Sequence, residues 1–127
     1  EYFDNPKGIM EWHKCHGTAG NTALQTWEKC FSKHSNIKMI LSGDQSRSNA
    51  VYRKLVNEAG GTVHALLSDY SAGGKNGGLR IYRFHPSKGK VEVITYDTTE
   101  ESILETTKIV PDPAQHNFEL NVKFKGV

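Results

Sequence analysis

Seven consecutive small or polar residues, Ser42-Gly43-Asp44-Gln45-Ser46-Arg47-Ser48, follow a short apolar run. Their types suit ligand chemistry. Gly43 lets the backbone turn sharply or approach a ligand closely. Asp44 offers hard oxygens for a metal ion or for orienting a proton. Gln45, Ser46 and Arg47 add donors that can meet an anion. Gly43 to Arg47 are therefore candidate binding residues, with Asp44 a candidate metal ligand. The competing reading is a polar turn in which Asp44 bonds nearby backbone amides.

A second set is His13, Cys15, His16, Cys30 and His34. Neutral imidazole and thiolate are good zinc ligands, and four of these five would complete a tetrahedral site. Cys30 and His34 are four apart on an expected helix, which puts both on one face. The spacing matches no common zinc module. In the alternative, Cys30 packs as a small apolar residue and the histidines lie at the surface. The two cysteines permit one disulfide without implying it.

Other chemistry is not signalled. The chain contains no Gly-x-Ser-x-Gly elbow, no Gly-x-x-x-x-Gly-Lys-Ser/Thr and no His-Glu-x-x-His. Gly73-Gly74-Lys75-Asn76-Gly77-Gly78 is glycine-rich but leads into a strand, not a helix N-terminus, and reads as a loop. His64, within an apolar run, reads as a sheet histidine.

These residues need elements to position them. Residues 1–20 carry Pro6, Gly8, Gly17 and Gly20 and read as an irregular lead-in. Asn21 or Thr22 offers an N-cap, and Leu24, Trp27, Phe31 and His34 follow at helical spacing, predicting a helix over 22–34. Residues 37–41 read as a buried strand feeding the Gly43 loop. Residues 49–58 suggest a short helix stopped by Gly60-Gly61. Residues 62–67, 79–84 and 91–96 read as strands, the last two joined by a hairpin loop over 85–90. The stretch 98–115, with Pro111 and Pro113, is a loop or short helix. Phe118, Leu120, Val122 and Phe124 alternate with polar residues as in a half-buried strand. The expectation is an α/β (or α+β) partial layered sheet-and-helix domain, with about five strands and one or two helices.

The 127 residues suit a single domain or subdomain over 1–127 with one core. A net charge of +2, with Lys and Arg scattered, argues against a nucleic-acid partner. No apolar run is long enough to span a bilayer, so no membrane partner is expected. The polar start at Glu1, without an initiator Met, has no signal-peptide pattern and reads as a cut, processed or partial chain.

The order of the pieces resembles the C-terminal part of a calcineurin-like metallophosphoesterase domain. The resemblance covers about residues 20–97. It rests on the helix leading into the 37–41 strand and its Gly43 loop, then on Ser68-Asp69-Tyr70, Gly77-Gly78-Leu79-Arg80 and Thr95-Tyr96-Asp97. In that family the first strand ends in Gly-His-x-His. Here Gly43-Asp44-Gln45-Ser46 stands in its place, with both histidines replaced. The chemistry that the resemblance implies is phosphoester hydrolysis by two metal ions, roughly 3.5–4 Å apart, that activate water and clamp the phosphate.

Most of the family's metal ligands lie upstream of the matched region, beginning with an Asp-x-His motif, and this chain has no such segment. The resemblance therefore implies a C-terminal portion of a metal-dependent phosphoesterase. Its divalent metal ions would belong to the parent, its partner would be the missing N-terminal half, and the chain alone would be inactive. The competing expectation is a non-enzymatic structural or binding module that assembles with copies of itself through sheet edges.

Overall fold

The computed structural model describes residues 21–43, 49–71 and 77–124. These contain one α-helix and seven strands in two sheets, an α/β or α+β arrangement. No described helix is long and apolar enough to cross a membrane. The chain divides into two compact units, one of residues 1–37 and 54–63, the other of residues 38–53 and 64–127.

In the first unit, helix α1 spans Ala23–Lys29. Thr22 starts it through a capping box: its hydroxyl accepts from the Gln25 amide, and the Gln25 side chain accepts from the Thr22 amide. The helix is shorter than the 22–34 expected. It stops at Cys30, whose φ of −131° and ψ of −70° are not helical, and a 3-10 turn, Phe31–Lys33, follows. The 57–61 turn of this unit is tied by Asn57, whose amide donates to Gly61 O while its side-chain oxygen accepts from the Gly61 amide. Gly60 sits there at φ 75°, a conformation that an L side chain resists.

One sheet has the order β1–β3–β2, with β1 at Met39–Ser42, β2 at Asn49–Val56 and β3 at Thr62–Asp69. Strands β1 and β3 are parallel, with Met39 opposite His64 and Ser42 opposite Leu67. Strand β1 is less buried than its composition suggests. Among the described residues it pairs with β3 alone, and Leu41 and Ser42 are exposed.

Residues 49–56 correct the expected short helix. Ala50, Val51, Leu55 and Val56 can be read at helical spacing, but the segment is also rich in β-branched and aromatic residues. In the strand, Ala50 is buried and Tyr52 packs against the core.

The second sheet is built on β5, Lys90–Asp97. Strand β4, Gly78–His85, pairs antiparallel along its whole length. The short β6, Ser102–Ile103, and β7, Phe118–Asn121, share the other edge of β5. The β4–β5 turn is a 3-10 turn, Pro86–Lys88, closed by Gly89 in the left-handed region. Alternation along β5 buries Val91, Val93, Thr95 and Asp97. Val91 and Val93 join Leu66, Leu120 and Val122 in the core, with Met39, Tyr52, Tyr82, Phe118 and Phe124 packed around them. The 98–115 stretch holds β6 and a 3-10 turn, Pro113–Gln115, and is otherwise without helix or strand.

Candidate functional site

Parallel pairing puts the C-terminal ends of β1 and β3 at the same end of their sheet, where layered α/β proteins tend to hold ligands. There Gly43 passes close to β3: a β-carbon on it would stand 3.3 Å from the Ser68 carbonyl oxygen. Ser42 Oγ donates to Leu66 O at 3.4 Å. Beside them Asp69 ends β3, accepting from the amide (3.0 Å) and hydroxyl (2.6 Å) of Ser71. Of the candidate binding residues, Gly43 is in this position. Asp44, Gln45, Ser46 and Arg47 lie outside the described residues.

Behind this end lies a buried polar cluster. Tyr70 follows β3 and is almost fully buried. Its hydroxyl is 2.8 Å from Nδ1 of His116 and 3.4 Å from Oγ1 of Thr95, and it accepts from Nη2 of Arg80. The proton positions follow from the acceptors. His116 Nε2 lies 2.9 Å from the Val110 carbonyl, which can only accept, so Nε2 carries the proton and Nδ1 accepts from Tyr70. Thr95 Oγ1 donates to the His116 carbonyl at 2.7 Å. His116 is 0% exposed, and burial lowers its pKa, partly offset by the Val110 hydrogen bond. A pKa held below 6.5 favours the neutral ring at pH 7.

Arg80 is held by stacking and backbone contacts. Its guanidinium lies 5.7 Å from the Tyr70 ring centre and 5.9 Å from that of Phe118. Nη2 also donates to Gln115 O at 3.1 Å, while Nε and Nη1 are buried without a partner among the described residues. Gly78 completes the cluster by lying directly against Tyr70. Next to it, Gly77 O accepts from the amide and hydroxyl of Thr98. Tyr70 and Gly77-Gly78 thus fasten both ends of the glycine-rich connection between β3 and β4. The Tyr70, Thr95 and His116 side chains bond one another and nearby backbone, whereas Nε and Nη1 of Arg80 are left over.

A second buried histidine does similar work. His64 in β3 donates from Nε2 to Asn121 O at 3.0 Å, which leaves Nδ1 to accept from Tyr52 at 2.9 Å. Tyr52 stacks on Phe118, and burial raises its pKa. His64 is thus a sheet histidine, as its surroundings in the sequence suggest.

Of the candidate zinc ligands, Cys30 and His34 are among the described residues. His13, Cys15 and His16 lie outside them. Cys30 is free and exposed, neither packed as a small apolar residue nor buried. Cys30 and His34 do not share a continuous helix, because the chain leaves α-helical geometry at Cys30. No group of three or more His, Cys, Asp or Glu side chains among the described residues can hold a metal ion. The described residues therefore do not by themselves fit a two-metal centre, and no metal-dependent step is assigned to them.

Tyr70, Arg80 and Thr95 each lie in a motif that carries the resemblance. His116 does not, and its only sequence signal is a position just before the alternating strand. Comparison with protein-family models, with curated proteins and with solved structures finds no match.

Proposed function

We propose that this chain is the C-terminal portion of a calcineurin-like metallophosphoesterase domain. On this reading, phosphoester hydrolysis belongs to a longer protein, and these residues supply a scaffold behind Gly43 at the C-terminal end of β1. One observation carries the reading. Three short motifs of the resemblance, Ser68-Asp69-Tyr70, Gly77-Gly78-Leu79-Arg80 and Thr95-Tyr96-Asp97, meet at one place. The Tyr70 hydroxyl contacts Arg80 and Thr95, and Gly78 lies against its ring. The second and third motifs face each other across the β4–β5 pair, with Arg80 opposite Thr95, and Tyr70 of the first motif joins them. The parallel β1–β3 pair, with Gly43 at its C-terminal end, adds to this support.

The test is hydrolysis of an aryl phosphate ester by the protein that includes the upstream segments. Turnover that depends on a divalent metal and is abolished by a chelator supports the reading. No turnover with any of Mg²⁺, Mn²⁺, Zn²⁺ or Fe²⁺ overturns it.

A second reading, a binding module that self-assembles through sheet edges, has its own observation. Among the described residues β4 pairs only with β5, and its Leu79 and Ile81 are exposed, as is Ile103 of β6. Sedimentation decides this one: a monomer at all accessible concentrations removes it.

A further inference from the structure

Residues 104–117 run from β6 to β7 without helix or strand apart from the Pro113–Gln115 turn. Most of them are exposed. Only Leu104, Thr107 and His116 are buried. The stretch is attached to the sheet at Gln115, whose carbonyl accepts from Arg80 of β4, and at His116 and Asn117 beside it. The His116 carbonyl accepts from Thr95 Oγ1 of β5, its Nδ1 accepts from Tyr70, and its Nε2 donates back to Val110 within the stretch. Asn117 fills the gap between β6 and β7, accepting from the Thr95 amide and donating to Leu104 O, each at 2.8 Å. Leu104 in turn donates its amide to Thr95 O and packs with Tyr70 and Ala50.

This arrangement accommodates only the neutral ring. A proton on Nδ1 would point at the hydroxyl proton of Tyr70. That proton has one other destination, Thr95 Oγ1 at 3.4 Å, and the Tyr70 oxygen already accepts from Arg80. One hydroxyl would then serve two cations at a site with no access to water. Among the described residues the groups facing the ring are few. Tyr70 at the end of β3 and Thr95 of β5 are uncharged, and Arg80 of β4 repels a second positive charge. Among the described residues, the one carboxylate acting on the ring, Asp112, lies on the stretch itself, is exposed and already accepts from the Ala114 amide.

We propose that residues 104–117 form an acid-loosened strap latched by His116: protonation of the ring breaks the Tyr70 contact, and loss of that anchor weakens the neighbouring backbone bonds to Thr95 of β5. The inference is independent of the phosphoesterase reading, since it needs no metal, substrate or upstream segment. Opening would bring Leu104, Tyr70 and Arg80 to solvent.

Amide-resolved hydrogen exchange tests it. Between about pH 7.5 and about pH 5, protection factors of the Leu104, Thr107 and Asn117 amides should fall roughly tenfold or more, while that of Val93 in β5 holds. In His116→Gln, whose amide can donate to Val110 and accept from Tyr70 without titrating, the fall should disappear. Unchanged protection in the unmodified protein at the lower pH overturns the proposal, and so does an equal fall in the variant. If His116→Gln does not fold, the ring nitrogens of the unmodified protein decide. A ring that becomes protonated while the strap amides remain protected refutes the latch. Protonation and loss of protection with one midpoint supports it.

Discussion

Gly78 in β4 lies against the aromatic base of Tyr70, 8 residues earlier in the chain: a β-carbon on Gly78 would stand 2.6 Å from both Cβ and Cγ of Tyr70. Those atoms cannot swing aside as the tip of a long side chain can. Gly78→Ala must therefore displace the tyrosine or the strand. The expected cost is about 1–3 kcal/mol, typical of overpacking. Urea denaturation measures it, and an unchanged midpoint would mean that Tyr70 is free to move.

Tyr70→Phe keeps the ring and removes the hydroxyl. His116 Nδ1 then becomes a buried acceptor without a donor, and Arg80 loses an acceptor. The expected destabilisation is about 1–3 kcal/mol, the usual cost of stranding a buried polar group. A double-mutant cycle with His116→Ala, which removes the acceptor, should show coupling, because the two side chains share one hydrogen bond. Strict additivity would place the bond outside the stabilising network.

The same histidine sets a pH dependence. Burial lowers the folded-state pKa of His116 below its ordinary value of 6.5. The unfolded chain therefore takes up the proton first as pH falls. This contribution to stability is complete above about pH 6.5 and is lost as pH drops through that value toward the folded-state pKa, by at most about 1.4 kcal/mol per pH unit. Urea midpoints measured across this window should decline on the acid side, and His116→Gln should flatten the decline.

Core and surface should respond differently. Leu120→Ala removes a side chain from the centre of the core opposite Val91, and should cost about 2–5 kcal/mol. The Lys90–Glu119 pair, 2.8 Å apart, lowers the pKa of Glu119 but is exposed on both sides. Glu119→Gln should leave the denaturation midpoint unchanged, since such pairs are screened by water and salt.

Much of the fold is legible in the chain because local pattern and burial agree there. Phe118 and Leu120 alternate with polar neighbours and form β7, and Val91, Val93 and Thr95 do the same in β5. Where one local pattern serves two structures, sequence fails. Ala50, Val51, Leu55 and Val56 fit a helical face as well as a strand, and pairing with β3 decides for the strand. The helix expected to reach His34 ends at Cys30, which takes with it the argument for a shared Cys30–His34 face. The His116 contacts are illegible for a further reason. They join residues 46 and 21 positions away, and no local spacing encodes such a meeting.

The central claim is that phosphoester hydrolysis resides in a longer protein of which this chain is the C-terminal portion. The most direct measurement is metal-dependent hydrolysis of an aryl phosphate ester, run on the 127-residue chain beside the protein that contains the upstream segments. The expected result is turnover by the longer protein, abolished by a chelator, and none by the chain alone. Metal-dependent turnover by the 127-residue chain that Asp44→Ala abolishes would contradict the account.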